Sequence, residues 1–158
     1  MKKIALMALG LTGVLASCGG GTSTIEGAPT TNWQLRSDVK DINNNIILKA
    51  GTYVICNDRP TTVQANVSWG AGVTQVQLWA RGQKESKPVA YYNVNPTGGT
   101  GTATFTLNGG VAPQSITVNP ITTPVRVKSY VELGTATGVS DIKWNSYDFP
   151  VLESCTTA

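Results

Sequence analysis

From Trp33 onward, apolar and polar residues alternate in short runs that recur about every 10 residues, with Gly, Pro and Asn clusters between them. A two-residue period puts one side of a run into a core and the other into water, so it selects half-buried strands. No stretch carries a 3.6-residue pattern of helical length. The runs span 46–49, 52–56, 61–69, 74–81, 89–94, 102–107, 115–118, 125–133 and 141–149, and residues 33–41 offer a further short strand or a turn of helix. Composition points the same way. The chain has 17 Gly, and its charged share of 13% is about half the usual one. The expected fold class is all-β: an antiparallel two-sheet sandwich, with a small β-barrel as the alternative.

One pair of runs invites a register. Residues 61–69 place Val63, Ala65, Val67 and Trp69 on one face, and residues 74–81 place Thr74, Val76, Leu78 and Ala80 on one face. A hairpin through residues 70–73 would set Trp69 opposite Thr74 and Val67 opposite Val76, leaving one face apolar and the other polar. By fold-level analogy the sandwich is similar to immunoglobulin-like or fibronectin-type domains. Cys56 precedes Trp69 by 13 residues, as in immunoglobulin domains. The Tyr expected two residues before their second Cys is missing, because Cys155 follows Glu153 and Ser154. That spacing is read as coincidence.

The first residues follow a different logic. Lys2 and Lys3 precede an apolar stretch from Ile4 to Ala16, 13 residues long. A bilayer-spanning helix needs about 20 apolar residues, so this stretch reads as an export signal. It ends Leu15-Ala16-Ser17-Cys18. The tetrapeptide resembles the lipobox of bacterial lipoproteins, a resemblance confined to residues 1–19. It implies removal of residues 1–17 and a diacylglyceryl thioether on Cys18. It also implies a partner, the membrane itself, reached through the N-terminal lipid. With Gly19 in place of Asp, family sorting favours the outer membrane over the inner membrane of the cell envelope. Residues 18–31 are rich in Gly, Thr and Pro with one isolated Ile25, and read as a flexible tether. Residues 32–158 form the single expected domain.

With Cys18 lipidated, Cys56 and Cys155 remain as an even pair in an oxidising compartment, and a disulfide between them is expected. Without Lys2 and Lys3 the chain holds 10 basic residues against 9 acidic ones, a net of +1. The basic residues form no stripe, so nucleic acid is not an expected partner. There is no His, which removes Ser-His-Asp and Cys-His catalysis and imidazole-held metals. No cofactor, metal or catalytic set is expected. The sequence 38–45 is rich in Asp and Asn but lacks the order of a calcium loop, and reads as a turn held by Asx hydrogen bonds.

The remaining signal is aromatic. Alternation turns Trp79 outward with Gln75, Gln77 and Arg81, and turns Tyr130 outward with Arg126 and Lys128. Trp and Tyr among amides and guanidinium groups suit stacking on a sugar or a protein. These features together favour a non-catalytic binding or accessory module for an envelope protein or glycan. The alternatives are a carboxylate-based hydrolase of envelope polymers, for instance through Asp58 and Asp148, or a carrier of small apolar ligands.

Overall fold

The computed structural model describes residues 21–41, 43–82, 85–108, 127–138 and 141–155. Cys18, the expected export signal and the expected strand at 115–118 lie outside them. The described chain is all-β, with no helix. Its strands are β1 (Ser23–Thr31), β2 (Val39–Lys40), β3 (Ile46–Leu48), β4 (Ile55–Cys56), β5 (Thr61–Trp69), β6 (Gln75–Arg81), β7 (Ser86–Asn93), β8 (Gly99–Leu107), β9 (Val127–Ala136) and β10 (Lys143–Leu152). They form a three-stranded sheet in the order β1-β5-β8, a five-stranded sheet in the order β4-β10-β9-β6-β7, and a small β2-β3 pair. One sheet curls into a half-barrel.

Alternation produces the core directly. Val63, Ala65 and Val67 of β5 and Ala103, Phe105 and Leu107 of β8 are buried, while Gln64, Asn66, Thr104 and Thr106 are exposed. On the larger sheet Val76, Leu78, Ala80, Val131, Leu133, Phe149 and Val151 are buried, and with those residues and Ile25 they make one apolar cluster. Burying each such side chain stabilises the fold by about 1.5–3 kcal/mol before conformational entropy is counted. Two hydrogen bonds stitch the sheets at their margins. Tyr92 donates its hydroxyl to the Thr104 carbonyl at 2.6 Å, and Thr135 donates to the Ser23 carbonyl at 2.8 Å.

The expected hairpin between β5 and β6 does not form. β5 pairs with β1 and β8, and β6 pairs with β7 and β9. Residues 70–74 carry the chain from one sheet to the other, so Val67 and Val76 share a core instead of a ladder. Alternation identifies the buried face of a strand and is blind to its lateral neighbour.

The expected tether is also much shorter. Ser23–Thr31 is β1, paired antiparallel with β5 through Ser23↔Trp69 and Ile25↔Val67. A strand that adds to an existing edge gains its stability from main-chain hydrogen bonds, so one Ile suffices where an isolated segment would stay disordered. Its position at the sheet edge accommodates Pro29, and a bulge between Glu26 and Thr30 holds Gly27 at φ 68°.

A second apolar cluster lies beyond the ends of β1, β5 and β10. Leu35, Val39, Val54, Leu152, Cys56 and Cys155 are buried there, with Trp33 and Leu48 packed against them. Cys56 and Cys155 are disulfide-bonded with their Cα atoms 5.7 Å apart and 99 residues apart in sequence, as expected. Closing so long a loop stabilises by up to roughly 4.7 kcal/mol through lost chain entropy in the unfolded state.

Candidate functional site

The outward side of the five-stranded sheet carries the aromatic signal. In β6 the residues Gln75, Gln77, Trp79 and Arg81 alternate with buried Val76, Leu78 and Ala80. Register extends that side across the sheet. Tyr91 lies opposite Gln77, Gly134 opposite Trp79, Trp144 opposite Gly134, and Glu132 opposite both Arg81 and Asp148. Tyr130 follows two residues before Glu132 and so shares this side. The five residues expected at a binding face, Trp79, Gln77, Gln75, Arg81 and Tyr130, thus fall on one side of one sheet.

Gly134 explains how the Trp144 ring can lie over β9, next to the position that Trp79 faces in register. A Cβ on Gly134 would sit 2.8 Å from Trp144 Cε3 and 3.1 Å from Trp144 Cδ2. Only a residue without a side chain lets the Trp144 ring lie over the strand there. The ring in turn receives the Arg81 guanidinium, whose Cζ is 4.3 Å from its centroid. Arg81 also pairs with Glu132, its Nε donating to Oε2 at 3.0 Å. Its charge is therefore already engaged by a carboxylate and a π-face.

The amides are ordered as well. Trp79 donates its indole N–H to Gln77 Oε1 at 3.2 Å, and Gln77 donates to Gln75 Oε1 at 3.4 Å. Gln77 is only 8% exposed although it faces outward, while Tyr91 is 57% and Tyr130 44% exposed. The result is a platform with partly covered indoles at its centre and free phenol edges toward both flanks. It offers apolar stacking surface with amide and hydroxyl groups along the rim, and a guanidinium already neutralised in place.

Trp144, Tyr91 and Glu132 were not singled out by sequence. The readable signal was Gly134, an isolated Gly inside a strand pattern, which marks a close approach. The side chains of Arg126 and Lys128, expected beside Tyr130, lie outside the described set.

No family model, curated protein or solved structure matches this chain. The platform is therefore read from its own chemistry.

An apolar cleft and a cluster at the disulfide lie away from the platform. Between β7 and β8, Val67, Trp69, Val76, Tyr92, Val94 and Ala103 line an apolar cleft of about 140 Å³, well under the 300–1,000 Å³ typical of ligand pockets. At the disulfide, Cys56, Asp58 and Cys155 bring ligand atoms within 4.8 Å of one another, yet both sulfurs bond each other. The Asp58 carboxylate accepts from Ser154 Oγ at 2.7 Å and from the Cys155 amide at 3.2 Å. The Ser154 hydroxyl leads in holding the Asp58 carboxyl below its ordinary range; burial opposes it, and the Cys155 amide and Arg59 add to the lowering. Asp58 fastens the C-terminal tail, and the Asp41 carboxylate likewise closes the 41–45 turn by accepting from Asn43 and Asn45.

Proposed function

We propose that this chain is a lipid-anchored protein of the cell envelope whose outer aromatic platform binds a protein or glycan partner without catalysis. The observation that carries the proposal is the placement of Trp79 and Trp144 on either side of Gly134 on one face of the sheet, with exposed Tyr91 and Tyr130 on the same face. Side chains of this type supply stacking area at low entropic cost and keep a polar handle in water. The anchor rests on the Leu15-Ala16-Ser17-Cys18 lipobox, and Gly19 favours the outer membrane. Two or more acyl chains hold a protein at a membrane almost permanently, at about 0.8 kcal/mol per buried methylene.

An immunoglobulin-like sandwich is the finer fold reading that goes with this function. Its support is the single apolar cluster to which both larger sheets contribute.

Retention of envelope glycans and proteins by the mature chain tests the proposal. Immobilised wild-type protein is expected to retain a specific fraction that Trp79→Ala and Tyr91→Ala each reduce at least about tenfold, a loss of roughly 1.4 kcal/mol. Equal retention by wild type and both variants would remove the platform as a binding site.

A further inference from the structure

The seven long strands run between two ends that differ in charge. One end gathers the start of β1, residues 70–74 between β5 and β6, residues 94–98 between β7 and β8, and the β9–β10 connection. Among the described residues there, the charges are Asp141 of the connection and Lys143 at the start of β10. The other end holds the second cluster, and there residues 32–60 alone bear Arg36, Asp38, Lys40, Asp41, Lys49 and the Asp58–Arg59 pair.

The sparsely charged end is also tightly built. Gly72 donates its amide to the Pro96 carbonyl at 2.7 Å, and Val94 donates to the Thr74 carbonyl at 2.9 Å, tying the two loops into one pad. The N-terminal segment is docked on that pad. Gly70 donates to the Thr22 carbonyl at 3.0 Å, and a Cβ on Gly21 would fall 2.6 Å from the Ala71 carbonyl oxygen and 2.5 Å from Val73 Cγ2.

Covalent geometry then limits where the lipid can be. From Cys18 to docked Gly21 there are three Cα steps of 3.8 Å, a reach of at most about 11 Å whatever path the chain takes. We infer that the pad formed by residues 70–74 and 95–98 is a membrane-contacting surface, seated on the phospholipid headgroups by this short leash. The inference rests on the lipidated Cys18 of the preceding section. It replaces a domain swinging on a long spacer with one held end-on.

The chemistry of the pad suits that occupant. Small uncharged residues and Pro96 approach headgroups without stripping water from an ion, and are not repelled by an anionic leaflet. The strands then rise from the bilayer, and nine residues place the charged end about 30 Å farther out. The aromatic platform stands along the side, open to a partner in the space above the membrane.

The test attaches the mature chain, beginning at Cys18, to a maleimide-bearing lipid in phosphatidylcholine nanodiscs. Cys18 is the one reactive thiol when Cys56 and Cys155 are bonded to each other. A paramagnetic headgroup lipid is included, and amide relaxation is read by NMR. The amides of Ala71, Gly72, Thr97 and Gly98 are expected to broaden several-fold more than those of Lys49 and Asp58. Inserting a Gly-Ser spacer of about 12 residues between Gly20 and Gly21, with a reach of roughly 20 Å, is expected to erase the contrast. Equal broadening at both ends of the wild type would overturn the inference, and so would a contrast that survives the spacer. Because the thioether is made chemically, neither outcome depends on what cells do. The mass of the native protein decides the anchor separately.

Discussion

Inside the five-stranded sheet, Val76, Leu78, Ala80, Val131 and Leu133 are all but sealed from water; one residue along each strand, the outer side presents Trp79, Trp144, Tyr91 and Tyr130. Fully buried and partly exposed positions divide the aromatic residues by chemistry. Both Phe of the chain, Phe105 and Phe149, are buried, whereas all four Trp and all five Tyr stay at least partly exposed. A core built of aliphatic and phenylalanine side chains needs only shape, since these have no polar atom to satisfy. A surface of indoles and phenols keeps donors in reach of water or of a partner. The inner face therefore explains why the fold exists, and the outer face is where a function has room to operate.

Substitutions should separate the two. Leu78→Ala removes a fully buried side chain from the inner face and is expected to cost about 2–5 kcal/mol, read as a lower urea midpoint at unchanged slope. A loss under about 1 kcal/mol would mean that the inner face is loosely packed. Removing the disulfide by Cys56→Ser with Cys155→Ser is expected to cost about 2–4 kcal/mol. Amide exchange should rise first at Leu35, Val54 and Leu152, which pack around the bridge. Uniform acceleration across both clusters would contradict that division.

The outer face should respond differently. Gly134→Ala presses a Cβ against both the Lys143 carbonyl oxygen and the Trp144 ring and is expected to cost about 1–3 kcal/mol, with a change in near-ultraviolet circular dichroism as the indole is displaced and Arg81 loses its stacking partner. Unaltered spectra would show that the ring does not depend on the missing Cβ. Trp79→Ala should change stability by about 1 kcal/mol at most, since the ring is only half buried, while abolishing partner retention. That pairing of small stability cost with large functional loss is the signature of a binding face.

The smallest expected effect is a pH dependence at the tail. The folded carboxyl of Asp58 is held low by Ser154, Cys155 and Arg59. The unfolded chain then binds the proton more readily. Asp58 thus contributes stability above its unfolded value near 3.9, and the contribution is lost as pH falls through the folded value. Asp58→Asn should flatten that part of the acid limb of stability. An acid limb unchanged by the substitution would show that other carboxylates set it.

Much of this division was legible beforehand. The alternation in Thr61–Trp69 and Gln75–Arg81 assigns the buried sides correctly, because pleat alone decides which residues share a side. It misassigns their pairing, because a sheet-to-sheet crossover and a hairpin demand the same alternation. β1 escaped notice since its stability comes from the edge of β5, a partner 40 residues away. Trp144 was missed because a register shift between Trp144 and Asp148 breaks the alternation of β10 just where its outward side must be read. The Cys56–Cys155 bridge was readable from the cysteine count once an oxidising compartment was expected, and the structure bears the bridge out.

The anchor is the claim on which location and orientation both depend. Intact-mass analysis of the protein from its own cells tests it most directly. The expected mass is that of a chain that starts at Cys18 and carries at least a diacylglyceryl group there. A bare Cys18 thiol, or a chain still bearing residues 1–17, would contradict it.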